Sequence, residues 1–427
     1  MTMINHRMTI EKQKINLKNQ TMAGRLKATK KMKSIMKWYY VEAKYARYLG
    51  KKVAWITSGG PVEPLIAMNI IPVYPENHGA MIGASKMGGK MSEFAEGLGY
   101  SSDVCSYTKN DITSSITKES PIKGGLPEPD MLICSNNICG TVLKWYEIQA
   151  RKFNVPLFIY DTPFVHTEFT EEARAYVDAQ TEEYIKFLEK HTGKKFNYKK
   201  MKKVGKLSLE AMRLWKKVLE TAEHKPSPMT AFDAFFHLAL IVTLRGKKVV
   251  VKYYRQLLKE LEERNKNNIG AVDNEQYRLL WDNLPIWFRM RWLSEKFASH
   301  GAALVADTYT QAWCGVIDYV NEEDFLSTMG EAYTRIHLNV GVDQMADTIK
   351  KFIKQYDVDG LVMHSNRSCK PYSFGQYDIQ NLLQDEDIPV LMIEADMTDE
   401  RKFSESQTEA RIDAFMEVIK QRKKEKT

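Results

Sequence analysis

Cysteine is scarce in this sequence. There are five in 427 residues, an odd number, with no Cys-x-x-Cys pair and no tight Cys/His cluster. That pattern excludes a disulfide framework and a compact structural zinc site. No apolar run approaches the roughly 20 residues a bilayer span needs. The best candidate, "AFFHLALIVTL" at 234–244, is short and contains His237. The first 35 residues lack the apolar stretch of a secretory leader. The expectation is a soluble, cytoplasmic protein with free thiols, bound to no membrane. There is no Gly-rich nucleotide loop, because "SGGP" and "KMGGK" are too short to cradle phosphates. No short-period repeat or low-complexity tract interrupts the chain.

What is present supports a large core. Apolar residues make up 44% of the chain and aromatics 11%, and the length suffices for two or three domains. The formal net charge of +8 is unevenly distributed. Residues 1–52 hold 11 Lys and 3 Arg against Glu11 and Glu42, so the remaining chain is mildly acidic. Such a basic arm reads as a solvated helix or a face for a partner subunit in preference to a nucleic-acid site.

Six short apolar runs read as buried parallel strands: 52–58, 130–136, 155–161, 302–308, 359–365 and 388–396. Helical patterns separate them, which predicts an α/β fold of two doubly wound, Rossmann- or flavodoxin-like lobes with mostly parallel sheets. Between 168 and 285 the periodicity becomes helical, and "KPSPM" at 225–229 punctuates it. The expected organisation is a basic helical arm at 1–49, an amino-terminal α/β lobe at 50–167, a helical section at 168–290 and a carboxy-terminal α/β lobe at 291–427.

In open α/β sheets, ligands collect beyond the carboxyl ends of the strands. Cys139 follows "DMLICSNNI" and Cys369 follows "DGLVMHSNRS". Cys105, in "GYSSDVCSYTKNDI", has no clear strand before it. A cysteine at a helix amino terminus feels the positive end of the dipole, which favours the thiolate and hence a soft metal centre. Cys134, inside an apolar run, and Cys314, after "QAW", read as small core residues. The residues alone leave open whether Cys105, Cys139 and Cys369 form one site.

The segments "SGGPVEPLIAMNIIPVYPENHGA", "DVCSYTKNDI", "PDMLICSNNICGTVLKWYEIQARKFNVPLFIYDTPF", "KPSPMTAFDAFFHLALIVTLRG" and "HSNRSCKPYSFGQYDIQ" resemble the 2-hydroxyacyl-CoA dehydratase and benzoyl-CoA reductase family. The likeness runs from about residue 50 to 415 and is strongest to the substrate-binding alpha subunit of the dehydratases. It implies two α/β lobes with an oxygen-sensitive [4Fe-4S] cluster between them, held by Cys105, Cys139 and Cys369, with one iron free of cysteine. It implies a hydro-lyase that eliminates water from an (R)-2-hydroxyacyl-CoA to give a 2-enoyl-CoA. One injected electron makes a ketyl radical that expels the hydroxyl, and the electron is recovered at the end. The implied partners are a homologous second cluster subunit completing a heterodimer, and a separate ATP-dependent activator carrying its own [4Fe-4S] cluster. The basic arm offers a docking face for such a partner.

Two further positions match the family. Ser58 in "ITSGG" corresponds to the serine that holds the thioester end, and Glu76 in "YPENH" to the glutamate that assists hydroxyl departure or proton transfer. Without the resemblance, Ser58 beside two glycines reads as a turn and Glu76 as a solvated loop residue. His78 is a weaker candidate in the same loop. Arg367 and Lys370 could offset cluster charge or lie on the surface. The alternatives are a subunit of an ATP-dependent aryl-CoA reductase and a non-catalytic subunit that relays electrons. A double-cubane protein of the same family uses six cysteines, one more than are present here.

Overall fold

The computed structural model describes residues 26–383 and 386–425. The first 25 residues of the basic arm lie outside the described residues. All six apolar runs form strands: β1 (Val53–Ile56), β3 (Met131–Ser135), β4 (Leu157–Tyr160), β6 (Ala302–Asp307), β7 (Gly360–Asn366) and β8 (Val390–Ala395). Two strands that periodicity alone does not signal join them, β2 (Ile71–Val73) and β5 (Tyr277–Asp282). β2 is three residues long and carries Pro72, tolerated because this strand is a sheet edge. β5 carries Arg278, which is 3% exposed. Its guanidinium donates to the carbonyls of Tyr356 at 2.7 Å and Ala222 at 2.6 Å and pairs with Glu275. A buried arginine with each guanidinium nitrogen engaged can sit in a strand while hiding its apolar signature.

The strands make two four-stranded, wholly parallel sheets, ordered β2-β1-β3-β4 and β6-β5-β7-β8. Each sheet starts at an inner strand, steps outward once, then reverses to the other side. The fold is therefore a two-lobed α/β architecture with the same strand order twice. The reversal opens a crevice at the carboxyl end between β1 and β3 in one lobe, and between β5 and β7 in the other. Helices at Glu171–Thr192, Tyr198–Glu220 and Lys248–Lys266 fill most of the section between β4 and β5. The first starts on Thr170, whose hydroxyl accepts the Ala173 N–H, and ends on Gly193 in the left-handed conformation.

The described part of the basic arm is a helix, Ala28–Lys44. Ala28, Met32, Tyr39, Tyr40 and Ala43 recur at helical spacing and are buried, which leaves the lysines outward. The Glu260 carboxylate accepts the first N–H groups of this helix, from Lys27 at 2.6 Å and Ala28 at 3.0 Å. It thereby anchors the arm to the helical section and complements its dipole.

The lobes meet along polar contacts and close backbone approaches. The Asn110 amide donates to Thr398 Oγ1 at 2.8 Å, and the Ser106 N–H to Ser368 Oγ at 3.2 Å. A Cβ at Gly88 would lie 2.1 Å from the Thr398 carbonyl oxygen, so only glycine allows this approach. Among the described residues no helix is long and apolar enough to cross a membrane.

Candidate functional site

The two carboxyl edges face each other across one cavity. Ser58 comes from the loop after β1, Glu76 from after β2, Cys139 from after β3 and Leu284 from after β5. Tyr309 follows β6, Cys369 follows β7 and Met397 follows β8. Only β4 sends no residue from its carboxyl end into this wall. Cys105, which no strand delivers, arrives as the residue capping the helix Ser106–Thr117. The structure thus brings Ser58, Glu76, Cys105, Cys139 and Cys369 to one place, and leaves Cys134 and Cys314 buried in the core.

Each of the three cavity cysteines stands at a helix start. Cys105 and Cys369 are the caps of Ser106–Thr117 and Lys370–Ser373, and Cys139 immediately precedes the cap Gly140 of Thr141–Phe153. Backbone N–H groups of Tyr107 and Thr108, of Thr141 and Val142, and of Tyr372 point at the three sulphurs. Their pull towards the thiolate is outweighed. Burial pushes Cys105 up to about 12 and raises Cys139 and Cys369 as well, helped by neighbouring thiols at Cys105 and Cys369 and by Glu76 at Cys139. The helix ends therefore do not by themselves ionise these thiols. Three mutually repelling sulphurs become tenable as thiolates only against a cationic body.

Among the described residues, no three His, Cys, Asp or Glu side chains converge closely enough to hold a single metal ion. A polynuclear cluster bonds each cysteine to a different iron, so its sulphurs stand further apart than the donors of one ion. Cys105, Cys139 and Cys369 are the thiols this cavity would offer to such a cluster. Two polar atoms of the same wall, His337 Nε2 and Thr108 Oγ1, are buried without a partner among the described residues.

Glu76 opens the helix Pro75–Ala84, where Pro75 takes the first position and the carboxylate sits at the positive end of the dipole. It is 8% exposed, not a solvated loop residue. Its Oε1 accepts the Ser58 N–H at 3.0 Å and the Ser58 hydroxyl at 3.4 Å; its Oε2 lies 3.5 Å from the Tyr146 hydroxyl. Burial raises its pKa to about 7, against the pull of the Ser58 hydrogen bonds. A carboxyl poised there exchanges a proton readily near neutral pH.

His78 does not line the cavity. It is fully buried, its Nε2 is 2.7 Å from Ser120 Oγ, and burial lowers its pKa to about 4. Arg367 pairs on the surface with Glu394, and the Lys370 ammonium donates to the Arg367 carbonyl. Residues the sequence reading did not name complete the wall, notably Tyr309, Trp313, Tyr333 and Arg245. Tyr309 was findable, because it lies just beyond the apolar run at 302–308, where a strand's carboxyl end delivers ligand contacts. Much of the wall is apolar, including Ile138 beside Cys139, Val316, Phe325, Ile336 and Leu338.

The model of the family described as 2-hydroxyglutaryl-CoA dehydratase, D-component, matches residues 57–419. The (R)-2-hydroxyisocaproyl-CoA dehydratase alpha subunit of Clostridioides difficile is 35% identical over 390 residues, covering 90% of this chain and 94% of that one. Lactoyl-CoA dehydratase subunit alpha of Anaerotignum propionicum is 33% identical, covering 88% of this chain and 93% of that one. The (R)-phenyllactyl-CoA dehydratase alpha subunit of Clostridium sporogenes is 33% identical, covering 88% and 91%. A match that spans both lobes, the helical section between them and every residue of the cavity places this chain in the 2-hydroxyglutaryl-CoA dehydratase D-component family.

Proposed function

We propose that this chain is the substrate-binding subunit of an (R)-2-hydroxyacyl-CoA dehydratase, releasing water to give a 2-enoyl-CoA. The observation that carries the reading is the meeting of Ser58, Glu76 and the three cysteines Cys105, Cys139 and Cys369 in one buried cavity. When bound to those thiolates, a [4Fe-4S] cluster with one iron free of cysteine supplies one-electron reduction and Lewis-acid polarisation. Ser58 presents both an N–H and a hydroxyl where a thioester carbonyl would dock, and both now rest on Glu76. Glu76 holds or takes the proton that leaves with, or enables the loss of, the substrate hydroxyl. The apolar wall excludes the bulk water that would compete for that proton. The chain works with a homologous cluster subunit and an ATP-dependent activator, in the cytoplasm of an anaerobic cell.

The cavity also favours an uncharged acyl chain. Its one Lys or Arg among the described residues, Arg245, is spent on the protein: it pairs with Glu63 at 3.6 Å and donates to the Gly60 carbonyl at 2.9 Å, the Val242 carbonyl at 3.0 Å and the Tyr333 hydroxyl at 3.1 Å. No cationic donor remains there for a second carboxylate, whereas a branched or aromatic chain finds matching surface.

The test is iron and acid-labile sulphide per chain under strictly anaerobic conditions, for the parent and for Cys105→Ser, Cys139→Ser, Cys369→Ser and Cys134→Ser. About four irons are expected in the parent, lost in the first three variants and kept in the fourth. A colourless, iron-free parent, or loss only with Cys134, refutes the reading. Turnover then separates it from an aryl-CoA reductase. Dehydration consumes no net electrons, while ring reduction consumes two per product. A subunit that merely relays electrons would keep full turnover as Ser58→Ala or Glu76→Gln.

A further inference from the structure

Two polar side chains of the cavity wall have no part in the reaction proposed above, Thr108 and His337. Thr108 is 3% exposed, and its hydroxyl meets no partner among the described residues. Threonines further along helices of this chain spend that hydroxyl on the carbonyl four residues back: Thr117 on Thr113 at 3.0 Å, Thr181 on Val177 at 2.9 Å and Thr334 on Gly330 at 2.7 Å. Thr108 lies in the first turn of Ser106–Thr117, where the residue four back is Val104, ahead of the Cys105 cap. The helix therefore gives it no acceptor. Its own N–H points at the Cys105 sulphur, one turn away. His337 begins the turn His337–Asn339 between β6 and β7. The turn is fixed: the Asn339 amide donates to the Pro163 and Thr334 carbonyls, each at 2.8 Å, and Val340 bridges to Val165. His78, His237 and His364 are buried, and each meets a partner at one ring nitrogen. His337 makes no hydrogen bond among the described residues, and its Nε2 is buried. Its ring centre is 5.9 Å from that of Tyr372, whose N–H points at the Cys369 sulphur.

A buried polar atom without a partner costs free energy, and two in one wall call for an occupant that meets both. They come from different lobes: Thr108 lies between β2 and β3, His337 between β6 and β7. Each stands beside a cavity thiol, Thr108 next to Cys105 and His337, by way of Tyr372, next to Cys369. What the two positions share is the group those thiols would hold. We infer that Thr108 Oγ1 and His337 Nε2 are hydrogen-bond donors to the cluster bound at Cys105, Cys139 and Cys369, and that they help to set its reduction potential. The inference rests on the reading of these cysteines as cluster ligands. Burial lowers the His337 pKa to about 4, so near neutral pH the ring is uncharged and has one N–H to give. Donors to the sulphurs of a cluster, or to the oxygen on its open iron, draw charge away and favour the reduced form, which raises the potential. An apolar wall alone would leave the added electron poorly solvated.

The potential is measured by redox titration of the anaerobically purified protein, followed by electron paramagnetic resonance of the reduced cluster. Thr108→Val and His337→Phe nearly keep the shape of each side chain and remove its donor. At a fixed applied potential, the ratio of reduced to oxidised cluster should fall about tenfold in the double variant, a shift of about 59 mV for a one-electron couple, with iron per chain unchanged. Each single variant should fall part of the way, and the single variants carry the test if the double variant takes up no iron. Thr108→Ser, which returns the hydroxyl without the methyl, should keep the potential of the parent. An unchanged potential in iron-loaded variants overturns the inference; a raised KM for a 2-hydroxyacyl-CoA beside that unchanged potential gives the two atoms to the substrate instead. A fall in Thr108→Ser as large as in Thr108→Val also overturns it, because the effect then comes from packing. An iron-free parent removes the cluster reading and the inference with it. Failure of the dehydratase reading alone is a separate outcome. A chain that shows the shift but dehydrates no 2-hydroxyacyl-CoA keeps the donors and loses the reaction.

Discussion

The two lobes share a strand order and even a local motif, yet they use their strand ends differently. Ser135–Cys139 reads Ser-Asn-Asn-Ile-Cys and Ser365–Cys369 reads Ser-Asn-Arg-Ser-Cys, each at the end of the third strand of its sheet. Both loops emerge at the crevice where the strand order reverses, and both end in a cavity cysteine. The acids after the second strand part company. In the first lobe, Glu76 follows β2 and turns its carboxylate towards Ser58 and the cavity. In the second lobe, Asp307 ends β6 and is consumed by its own helix start, accepting the Thr310 N–H at 2.5 Å and the Thr310 hydroxyl at 2.6 Å. Asp282, at the end of β5, likewise accepts the Thr308 hydroxyl and the Gln376 amide. Burial raises both Glu76 and Asp307 to about 7. A perturbed carboxyl therefore does not by itself mark chemistry; what it faces does.

The strongest way to break this comparison is to neutralise each acid in turn. Glu76→Gln keeps the size of the side chain and removes the proton exchange. Turnover of a 2-hydroxyacyl-CoA should fall about 100-fold or more, with iron content unchanged. Asp307→Asn should change turnover only a few-fold, because that carboxyl is held by Thr310 and by the backbone N–H of Tyr309 and by no side chain of the cavity wall. Equal losses would mean that both lobes contribute acids to the reaction.

The next effect concerns how the lobes are held together. Gly88→Ala puts a methyl against the Thr398 carbonyl, a backbone atom that cannot swing away. The variant should lose about 1–3 kcal/mol or more of stability in urea denaturation. Gly97→Ala, where nothing lies within 4 Å of the new methyl, should be neutral or slightly stabilising. If Gly88→Ala is also neutral, the lobes slide more freely than this packing allows.

Much of this arrangement was legible in the sequence. Six strands announced themselves as apolar runs, and the edge rule put Cys139 and Cys369 at strand ends. β2 was hidden by its brevity and Pro72, and β5 by the buried Arg278, whose compensating carbonyls come from segments distant in the chain. Cys105 could be tied to the site only through the resemblance. It arrives on a helix cap after a loop, and no local pattern says that such a loop reaches the other lobe. The burial of Glu76 was equally non-local, since it depends on Tyr146 and on the loop after β1. Nothing in the local sequence marks Arg245. Its role as a neutralised part of the cavity wall needs Glu63 and Tyr333, 182 and 88 positions away.

A smaller and subtler test uses pH. A carboxyl whose pKa is raised on folding binds more protons in the native state than in the unfolded one between the two values. Stability must then fall as pH rises from the ordinary carboxyl range, near 4.5, to about 7. The sign is the reverse of that for a salt-bridged acid. Glu76→Gln and Asp307→Asn should each flatten the decline over pH 5–7, by at most about 1.4 kcal/mol per pH unit. Here the two lobes should behave alike, although their activities differ. An unchanged decline in either variant would show that the carboxyl was already ionised in the native protein over this range.

The smallest effect should come from Arg401, whose ion pair with Glu96 crosses between the lobes. Arg401 donates to Glu96 at 2.8 and 3.0 Å and also engages Asp399. Glu96 in turn holds the ammonium of Lys109, which is 1% exposed, at 2.8 Å. The two cations differ in what their loss leaves behind. Arg401 is 35% exposed along its side chain, so water replaces it and Glu96 keeps Lys109. Arg401→Ala should cost no more than about 1 kcal/mol, and less at high salt. Glu96→Ala strips a buried ammonium of its carboxylate, leaving only the Ser102 carbonyl as a partner. It should cost more, and the excess should persist in salt because the stranded charge is shielded from solvent. Measuring both by urea denaturation at low and high ionic strength separates an exposed latch from a buried one. Equal, salt-sensitive losses would place Lys109 in contact with water and remove it from the seam between the lobes.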